Sequence, residues 1–117
     1  MAIVDDDESV RESLPDLLRE FSFSAKAFSS AEEFLESASL ERTNCLVLDI
    51  TMPGMSGPAL QQELKRRGYK IPIVFITACG DETTRSRMLR HGAVECLSKP
   101  FSETAFRDAV NAALKVE

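Results

Sequence analysis

The sequence predicts an α/β fold, a doubly wound parallel sheet of five strands with five helices. Short apolar runs recur five times, and each is followed by a stretch in which apolar residues are spaced as in an amphipathic helix. The third and fourth runs, CLVLD and IPIVFIT, are apolar at nearly every position, as expected of central strands covered by helices on both faces. A length of 117 residues suits one domain with a single hydrophobic core.

The predicted strands are short, and each leads into the helix that follows it. They cover residues 2–4, 25–28, 45–48, 71–76 and 94–97. Because a helix separates each pair of consecutive strands, the connections are expected to be right-handed crossovers between parallel strands.

The first two helices show the clearest local signals. Pro15 lies inside the first helix and predicts a bend there. The second helix begins at Ser30, which forms a capping box with Glu33, and its apolar residues are Phe34, Leu35 and Ala38. The first helix has apolar residues at offsets of three, four and seven, namely Val10, Leu14, Leu17, Leu18 and Phe21.

The other three helices are marked by caps and breakers. Ser56 caps the third helix, Pro58 lies in its first turn, and Leu60 and Leu64 form its buried face before Gly68. The fourth helix covers 81–90 and ends at the His-Gly pair that follows. The fifth helix covers 102–115 and carries the apolar residues Phe106, Val110 and Leu114.

Composition narrows the class of protein. Apolar residues make up 44% and charged residues 28%, as in an ordinary globular domain. The net charge of -5 argues against direct binding of this domain to nucleic acid or to an anionic membrane. No apolar run approaches the ~18 residues of a membrane span, and the N-terminus lacks the pattern of a secretion signal, so we expect a cytoplasmic protein. Cys45, Cys79 and Cys96 are widely spaced and are predicted to be buried free thiols.

Polar residues with related chemistry follow four of the five strands. Ligands of an open parallel sheet bind beyond the carboxyl ends of its strands, so these residues are expected to meet at one edge. They are Asp5-Asp6-Asp7 after the first strand, Asp49 after the third, Thr77 after the fourth and Ser98-Lys99-Pro100 after the fifth.

This set matches the requirements of phosphoryl transfer. Neighbouring carboxylates ~5 Å apart repel by about 3 kcal/mol per pair at an effective dielectric of ~20, so a cation is expected among them. An all-oxygen site suits Mg²⁺ better than a transition metal. One carboxylate can then attack a phosphoryl donor, with the Lys99 ammonium neutralising charge and the Thr77 hydroxyl donating a hydrogen bond.

Each residue also has an ordinary structural explanation. Asp5, Asp6 and Asp7 are acids favoured at a helix N-terminus, and Asp49 can cap a turn. Thr77 is a β-branched strand residue, and Lys99 can be a solvated surface charge. The coincidence of suitable residues at four strand ends favours the functional interpretation.

Four motifs in order resemble the receiver domains of two-component response regulators along essentially the whole chain. They are IVDDD, LVLDITMPGMSG, VFITA and LSKPF. The resemblance implies a flavodoxin-like fold with strand order 2-1-3-4-5 and one receiver domain over residues 1–117, which can be the N-terminal part of a longer regulator. It also implies that a sensor histidine kinase is the phosphodonor.

The resemblance assigns a role to each site residue. It implies that Asp49 is the phosphoacceptor and that Asp6, Asp49 and the backbone carbonyl of Thr51 bind Mg²⁺ directly, while Asp5 acts through a metal-bound water. It makes Thr77 the switching hydroxyl and Lys99 the phosphoryl clamp, with a cis peptide bond between Lys99 and Pro100.

One position departs from the family pattern. Cys96 stands in the fifth strand where the family usually has Tyr or Phe, so the aromatic half of the usual switch is missing. Thr77 is then expected to act through backbone and loop movement on the face formed by the fourth helix, fifth strand and fifth helix, through which phosphorylated receivers can form homodimers. A thiol-sensitive switch at Cys96 is the alternative to a small buried strand residue.

The stretches SSAEEFLES and LRHGAVECLSKPF look most like receivers of LuxR-type transcriptional regulators, in which a DNA-binding domain follows. Three rival functions are weighed against this one. A phosphatase of the haloacid dehalogenase type needs a second Asp where this chain has Thr51, and a flavodoxin-like cofactor binder needs a phosphate cradle that Met52-Pro53-Gly54 does not provide. A phosphate-independent adaptor would not need the intact acidic set.

Overall fold

Five strands and five α-helices alternate along the chain in the computed structural model, which describes residues 1–78 and 80–115. The strands are β1 (Ala2–Val4), β2 (Lys26–Phe28), β3 (Leu46–Asp49), β4 (Ile73–Thr77) and β5 (Glu95–Ser98). The helices are α1 (Glu8–Glu20), α2 (Ala31–Leu35), α3 (Gly57–Arg66), α4 (Glu82–Arg90) and α5 (Glu103–Lys115), with a short 3₁₀ helix at Leu40–Arg42.

All strand pairs are parallel, and the order across the sheet is β2-β1-β3-β4-β5. The predicted fold class and strand order are therefore confirmed. Asp49 pairs in register with Ile76, and Thr77 pairs with Ser98, so three neighbouring strands end close to the same level. The sheet order changes direction between β1 and β3, which places the ends of these strands at a topological switch point.

The helices begin where capping side chains satisfy free backbone N–H groups. Asp7, Ser56 and Asp81 accept hydrogen bonds from the backbone at the starts of α1, α3 and α4. Ser102 accepts from the backbone N–H of Ala105 at the start of α5. At α2, Ser30 accepts from the Glu33 N–H as predicted, and the Glu33 carboxylate accepts from the Ser29 hydroxyl at 3.0 Å.

The second helix is shorter than predicted. It ends at Leu35, and Ala38 is exposed, so the prediction that Ala38 belongs to its buried face was wrong. Beyond the helix, the Ser37 hydroxyl accepts a hydrogen bond from the Ser39 N–H at 2.8 Å and offers the backbone an alternative to a further helical turn. Leu40 of the 3₁₀ helix fills the core position instead.

The strand bounds also move slightly toward the C-terminus. β3 begins at Leu46 and includes Asp49, one residue later than predicted. β4 begins at Ile73, because Pro72 has no N–H to donate to a ladder and contributes only its carbonyl, which accepts from Leu46.

Apolar residues cover both faces of the sheet. On one face Phe34, Leu60 and Met88 from α2, α3 and α4 pack on Leu48 and neighbouring strand residues. On the other, α1 and α5 pack on the strands through Leu14, Leu18, Phe106 and Val110. Full burial of each large side chain contributes about 1.5–3 kcal/mol, so both layers hold the strand ends in place.

Two of the three thiols are placed as predicted. Cys45 and Cys96 are buried and free, whereas Cys79 lies outside the described residues. Within the described part of the chain, no helix is both long enough and apolar enough to span a membrane.

Candidate functional site

Three carboxylates converge at the carboxyl edge of the sheet. Oxygens of Asp5, Asp6 and Asp49 all lie within 4.8 Å of one another. Asp5 has no exposed surface and Asp49 is 7% exposed, whereas Asp6 is exposed to solvent. The predicted clustering of these acids is confirmed.

The turn after β1 holds Asp5 through backbone contacts. Its N–H donates to the Phe28 carbonyl at 3.1 Å, and its Oδ1 accepts from the Asp7 N–H at 2.9 Å. Its carbonyl accepts from Nη1 of Arg11 at 3.1 Å. Asp7 caps α1 by accepting a hydrogen bond from the Ser9 N–H at 2.9 Å. This is the ordinary structural role that the sequence suggests for an acid at a helix N-terminus.

Lys99 reaches the acidic cluster from the end of β5. Its Nζ lies 2.9 Å from Oδ2 of Asp5, and its N–H donates to the Thr77 carbonyl at 2.8 Å. Burial alone lowers the pKa of Lys99, but the hydrogen bond to Asp5 and the charges of Asp5 and Asp49 outweigh burial and raise it. The ammonium is therefore charged at neutral pH. The Lys99–Pro100 peptide bond is cis, as predicted.

Asp49 lies in an unfavourable place for a negative charge. Burial is the main cause that raises the pKa of Asp49 to about 7, and the nearby Asp5 carboxylate raises it further. Lys99 and a hydrogen bond from the Thr51 N–H, which lies 3.4 Å from Oδ1, act in the opposite direction. A bound cation would relieve this excess of negative charge.

Thr77 ends β4 and is 4% exposed. Its partner in the sheet is Ser98, the residue before Lys99, and its carbonyl accepts from the Lys99 N–H. The structure thus joins Thr77 to Lys99 through the backbone, and Lys99 to Asp5 through side chains. Thr51 is exposed in the loop after Asp49.

The same loop requires a glycine at the start of α3. A Cβ on Gly57 would collide with the carbonyl oxygen of Asp49 and lie 3.1 Å from the Ile50 Cα. The Gly57 N–H donates to the Ile50 carbonyl at 3.0 Å and closes the loop. A side chain at position 57 would therefore displace the backbone that carries Asp49.

Two contacts at the site escaped the sequence analysis. Arg11 donates to the Asp5 carbonyl, and Glu32 accepts from the Met55 N–H at 3.2 Å, across 23 residues of sequence. Neither residue lies at a strand end. Arg11 is half-buried on α1 and Glu32 is exposed on α2, and no local pattern of the sequence distinguishes them from other helix residues.

The donor set fits Mg²⁺. All candidate ligands are oxygens, the three carboxylates are close enough to share one ion, and they carry more negative charge than Lys99 alone offsets.

Comparison with known proteins agrees with this geometry. Residues 1–111 match the family model described as the response regulator receiver domain. The chain belongs to this family. Members of this family generally bind Mg²⁺ in an acidic pocket at the carboxyl edge of the sheet. In this chain, Asp5, Asp6 and Asp49 form that pocket.

Individual relatives support the assignment of this receiver domain. The chain is 47% identical over 111 residues to Nodulation protein W of Bradyrhizobium diazoefficiens, covering 95% of this chain and 49% of that protein. It is 43% identical over 112 residues to Transcriptional regulatory protein TdiR of Thauera aromatica, covering 96% and 49%. The solved structure of FixJ-N has a TM-score of 0.88 at 38% identity, covering 99% of this chain and 93% of that one.

The receiver domain spans about half the length of the curated relatives it matches. The relatives include proteins named as transcriptional regulators. The chain itself is a receiver domain of two-component signalling.

Proposed function

We propose that this receiver domain is a phosphorylation switch in which Asp49 accepts a phosphoryl group from a sensor histidine kinase in a Mg²⁺-dependent reaction. The observation that carries the proposal is the convergence of the Asp5, Asp6 and Asp49 oxygens within 4.8 Å, with the Lys99 ammonium 2.9 Å from Asp5. Phosphoryl transfer to Asp49 is a chemistry that uses all of these groups together.

Each residue has a distinct role in the proposed site. Asp6, Asp49 and the Thr51 carbonyl would hold Mg²⁺ directly, and Asp5 would act through a metal-bound water while its Oδ2 binds Lys99. When bound, Mg²⁺ neutralises charge on the transferred oxygens. Lys99 would bind a phosphoryl oxygen, and the Thr77 hydroxyl would donate to another.

Phosphoryl transfer then follows from the position of Asp49. A carboxylate oxygen of Asp49 forms the new P–O bond while the P–N bond to the kinase imidazole breaks. The reaction needs the ionised carboxylate. Burial and the Asp5 carboxylate raise the pKa of Asp49, and the charge of Lys99 opposes that rise. The receiver itself supplies the groups for transfer, and also for slow hydrolysis of its acyl phosphate.

The output would pass through α4, β5 and α5. Because Thr77 and Lys99 are joined through a backbone hydrogen bond, a phosphoryl group that draws both inward would shift β5 and the loop before α4. Cys96 is small and 4% exposed, so backbone movement replaces rotation of an aromatic ring. The changed α4–β5–α5 face would alter partner binding and support a homodimer.

The proposed context is a longer cytoplasmic regulator. We place residues 1–117 at its N-terminal receiver, followed by an output domain of the LuxR type that binds DNA, while the receiver itself binds neither nucleic acid nor membrane. This is supported by relatives about twice as long, among them proteins named as transcriptional regulatory proteins, and by the likeness to FixJ-N.

Intact mass after incubation with acetyl phosphate tests the proposal. We expect a gain of ~80 Da, one phosphoryl group on a carboxylate, only with Mg²⁺ and only while Asp49 is present. Asp49→Asn should show no gain, and Asp108→Asn, on the exposed side of α5, should behave as the wild type. Following the adduct after donor removal measures autodephosphorylation.

Other outcomes would favour the rival functions. Folded protein that binds Mg²⁺ but forms no adduct would support a phosphate-independent adaptor. Sustained turnover of phosphomonoesters would indicate a phosphatase instead.

A further inference from the structure

The loop after Asp49, residues 50–56, is anchored at its base and in its middle by the rest of the fold. At the base, the Gly57 N–H donates to the Ile50 carbonyl at 3.0 Å. In the middle, Met52 is 6% exposed and packs in the core on the α2, α3 and α4 side of the sheet. Thr51, between these anchors, is exposed.

A third anchor holds the tip of the loop and comes from α2. Oε2 of Glu32 accepts a hydrogen bond from the Met55 N–H at 3.2 Å. The helix that carries Glu32 is itself fixed, because Ser30 caps its start and Ala31 and Phe34 are fully buried. Glu32 therefore ties a solvent-facing loop to a rigid part of the fold.

The neighbouring glycine is suited to this contact. Gly54 has a positive φ of 76°, which favours glycine, and a Cβ built there would lie 2.9 Å from Oε2 of Glu32. A side chain at position 54 would displace the carboxylate from the Met55 N–H. The absence of a side chain thus leaves room for Glu32 above the loop.

We propose that Glu32 is a positioning residue for Mg²⁺ binding and phosphorylation, because its carboxylate fixes the 50–56 loop beside Asp49. This inference rests on the proposed function, in which the Thr51 carbonyl and Asp49 hold the metal together with Asp6. A loop that is already ordered loses less conformational freedom when the metal binds, so the anchor raises metal affinity without touching the metal.

The role of Glu32 depends on a hydrogen-bond acceptor at Oε2 and not on its charge. Glu32→Gln keeps a side-chain oxygen that can accept from the Met55 N–H, whereas Glu32→Ala removes it. Glu36→Ala removes an exposed carboxylate one turn later at the end of α2 and provides the matched control.

Titration calorimetry with Mg²⁺ alone, on unphosphorylated protein, tests the inference. We expect Glu32→Ala to raise the Kd for Mg²⁺ about three- to tenfold, as for loss of one hydrogen bond. Glu32→Gln should stay within about twofold of the wild type, and Glu36→Ala should equal it. Thermal unfolding in EDTA should be nearly the same for all four proteins, because the contact is on the surface.

The outcomes separate this inference from the function on which it rests. Wild-type protein that does not bind Mg²⁺, or Asp6→Asn protein that binds it equally well, would overturn the proposed metal site. If the wild type binds and Asp6→Asn does not, but Glu32→Ala matches the wild type, the role of Glu32 is overturned and the site stands. An equal loss in Glu32→Gln and Glu32→Ala would also overturn it, since charge would then be the cause.

Discussion

Nζ of Lys99 lies 2.9 Å from Oδ2 of Asp5, a carboxylate with no exposed surface, although the two residues are 94 positions apart in the chain. This ion pair joins the end of β5 to the end of β1 across the two strands that carry Asp49 and Thr77. Lys99 is therefore a structural counter-ion for Asp5 as well as the proposed phosphoryl clamp.

Removing the Lys99 ammonium should destabilise the metal-free protein. Lys99→Met leaves the buried Asp5 carboxylate without its cation, and we expect the free energy of unfolding to fall by about 2–3 kcal/mol. This loss should be smaller when Mg²⁺ is present, because the metal also offsets the charge of the carboxylates. Urea unfolding in EDTA and in Mg²⁺ measures it, with Lys70→Met, on an exposed lysine, as the control. Equal stability of Lys99→Met and wild type in EDTA would show that Asp5 does not depend on Lys99.

The raised pKa of Asp49 predicts a pH-dependent stability. A carboxyl with a pKa of about 7 in the folded protein and 3.8 when unfolded binds its proton more tightly in the fold, so stability falls as the pH rises from about 4 to 7. Asp49→Asn has no such proton. In EDTA, we expect it to exceed the wild type by about 2 kcal/mol at pH 8 and by little at pH 4.5.

Urea unfolding at the two pH values measures the difference. Asp108→Asn, which changes an exposed carboxylate on α5, serves as the control. A stability difference between Asp49→Asn and the wild type that does not grow between pH 4.5 and 8 would show that the pKa of Asp49 is not raised in the folded protein.

Two glycines should differ in their tolerance of a methyl group. Gly57→Ala places a Cβ against the Asp49 carbonyl and should cost about 2–4 kcal/mol, because backbone atoms cannot move aside cheaply. Gly68 has a φ of 86° but no atom within 4 Å of an added Cβ, so Gly68→Ala should cost only about 1 kcal/mol of backbone strain. Chemical denaturation compares them, and equal costs would argue against the close approach at Asp49.

The ion pair between Arg85 of α4 and Glu95 of β5 should contribute little to stability, but Glu95 should contribute more than Arg85. Arg85 lies 2.9 Å from Glu95, and the side chains are 43% and 27% exposed, so a double-mutant cycle should give a coupling of about 0.5–1 kcal/mol. Glu95 also accepts from the Cys96 N–H at 2.9 Å. We therefore expect Glu95→Ala to cost more than Arg85→Ala, and the reverse order would show that this second contact contributes nothing.

The two described thiols should be unreactive in the native protein. Burial is the main cause that raises the pKa of Cys45 to about 11 and also raises that of Cys96. In a Cys79→Ser background, iodoacetamide at pH 7.5 should label neither thiol until urea is added, as intact mass would show. Labelling of Cys96 in the folded protein would instead support the hypothesis of a thiol-sensitive switch at this residue.

The local pattern of the sequence determined most of this fold and the membership of the site. β3 and β4 were predictable because central parallel strands are apolar on both faces, and the caps Ser30 and Ser56 are local signals. Once a parallel sheet is predicted, its strand ends must share an edge, so the meeting of Asp5, Asp49 and Lys99 followed from topology.

The tertiary structure decided what depends on packing between distant segments. Only the folded core shows that Leu40, not Ala38, fills the space after α2, because the apolar spacing of the sequence continues to Ala38 and does not reveal that the helix ends at Leu35. Only the folded chain brings Glu32 to the Met55 N–H and Arg11 to the Asp5 carbonyl, since hydrogen bonds from helix side chains to the backbone of other segments leave no periodic pattern in the sequence. The sequence thus determines which chemical groups meet at the site, and packing across the sheet determines the contacts that hold them in place.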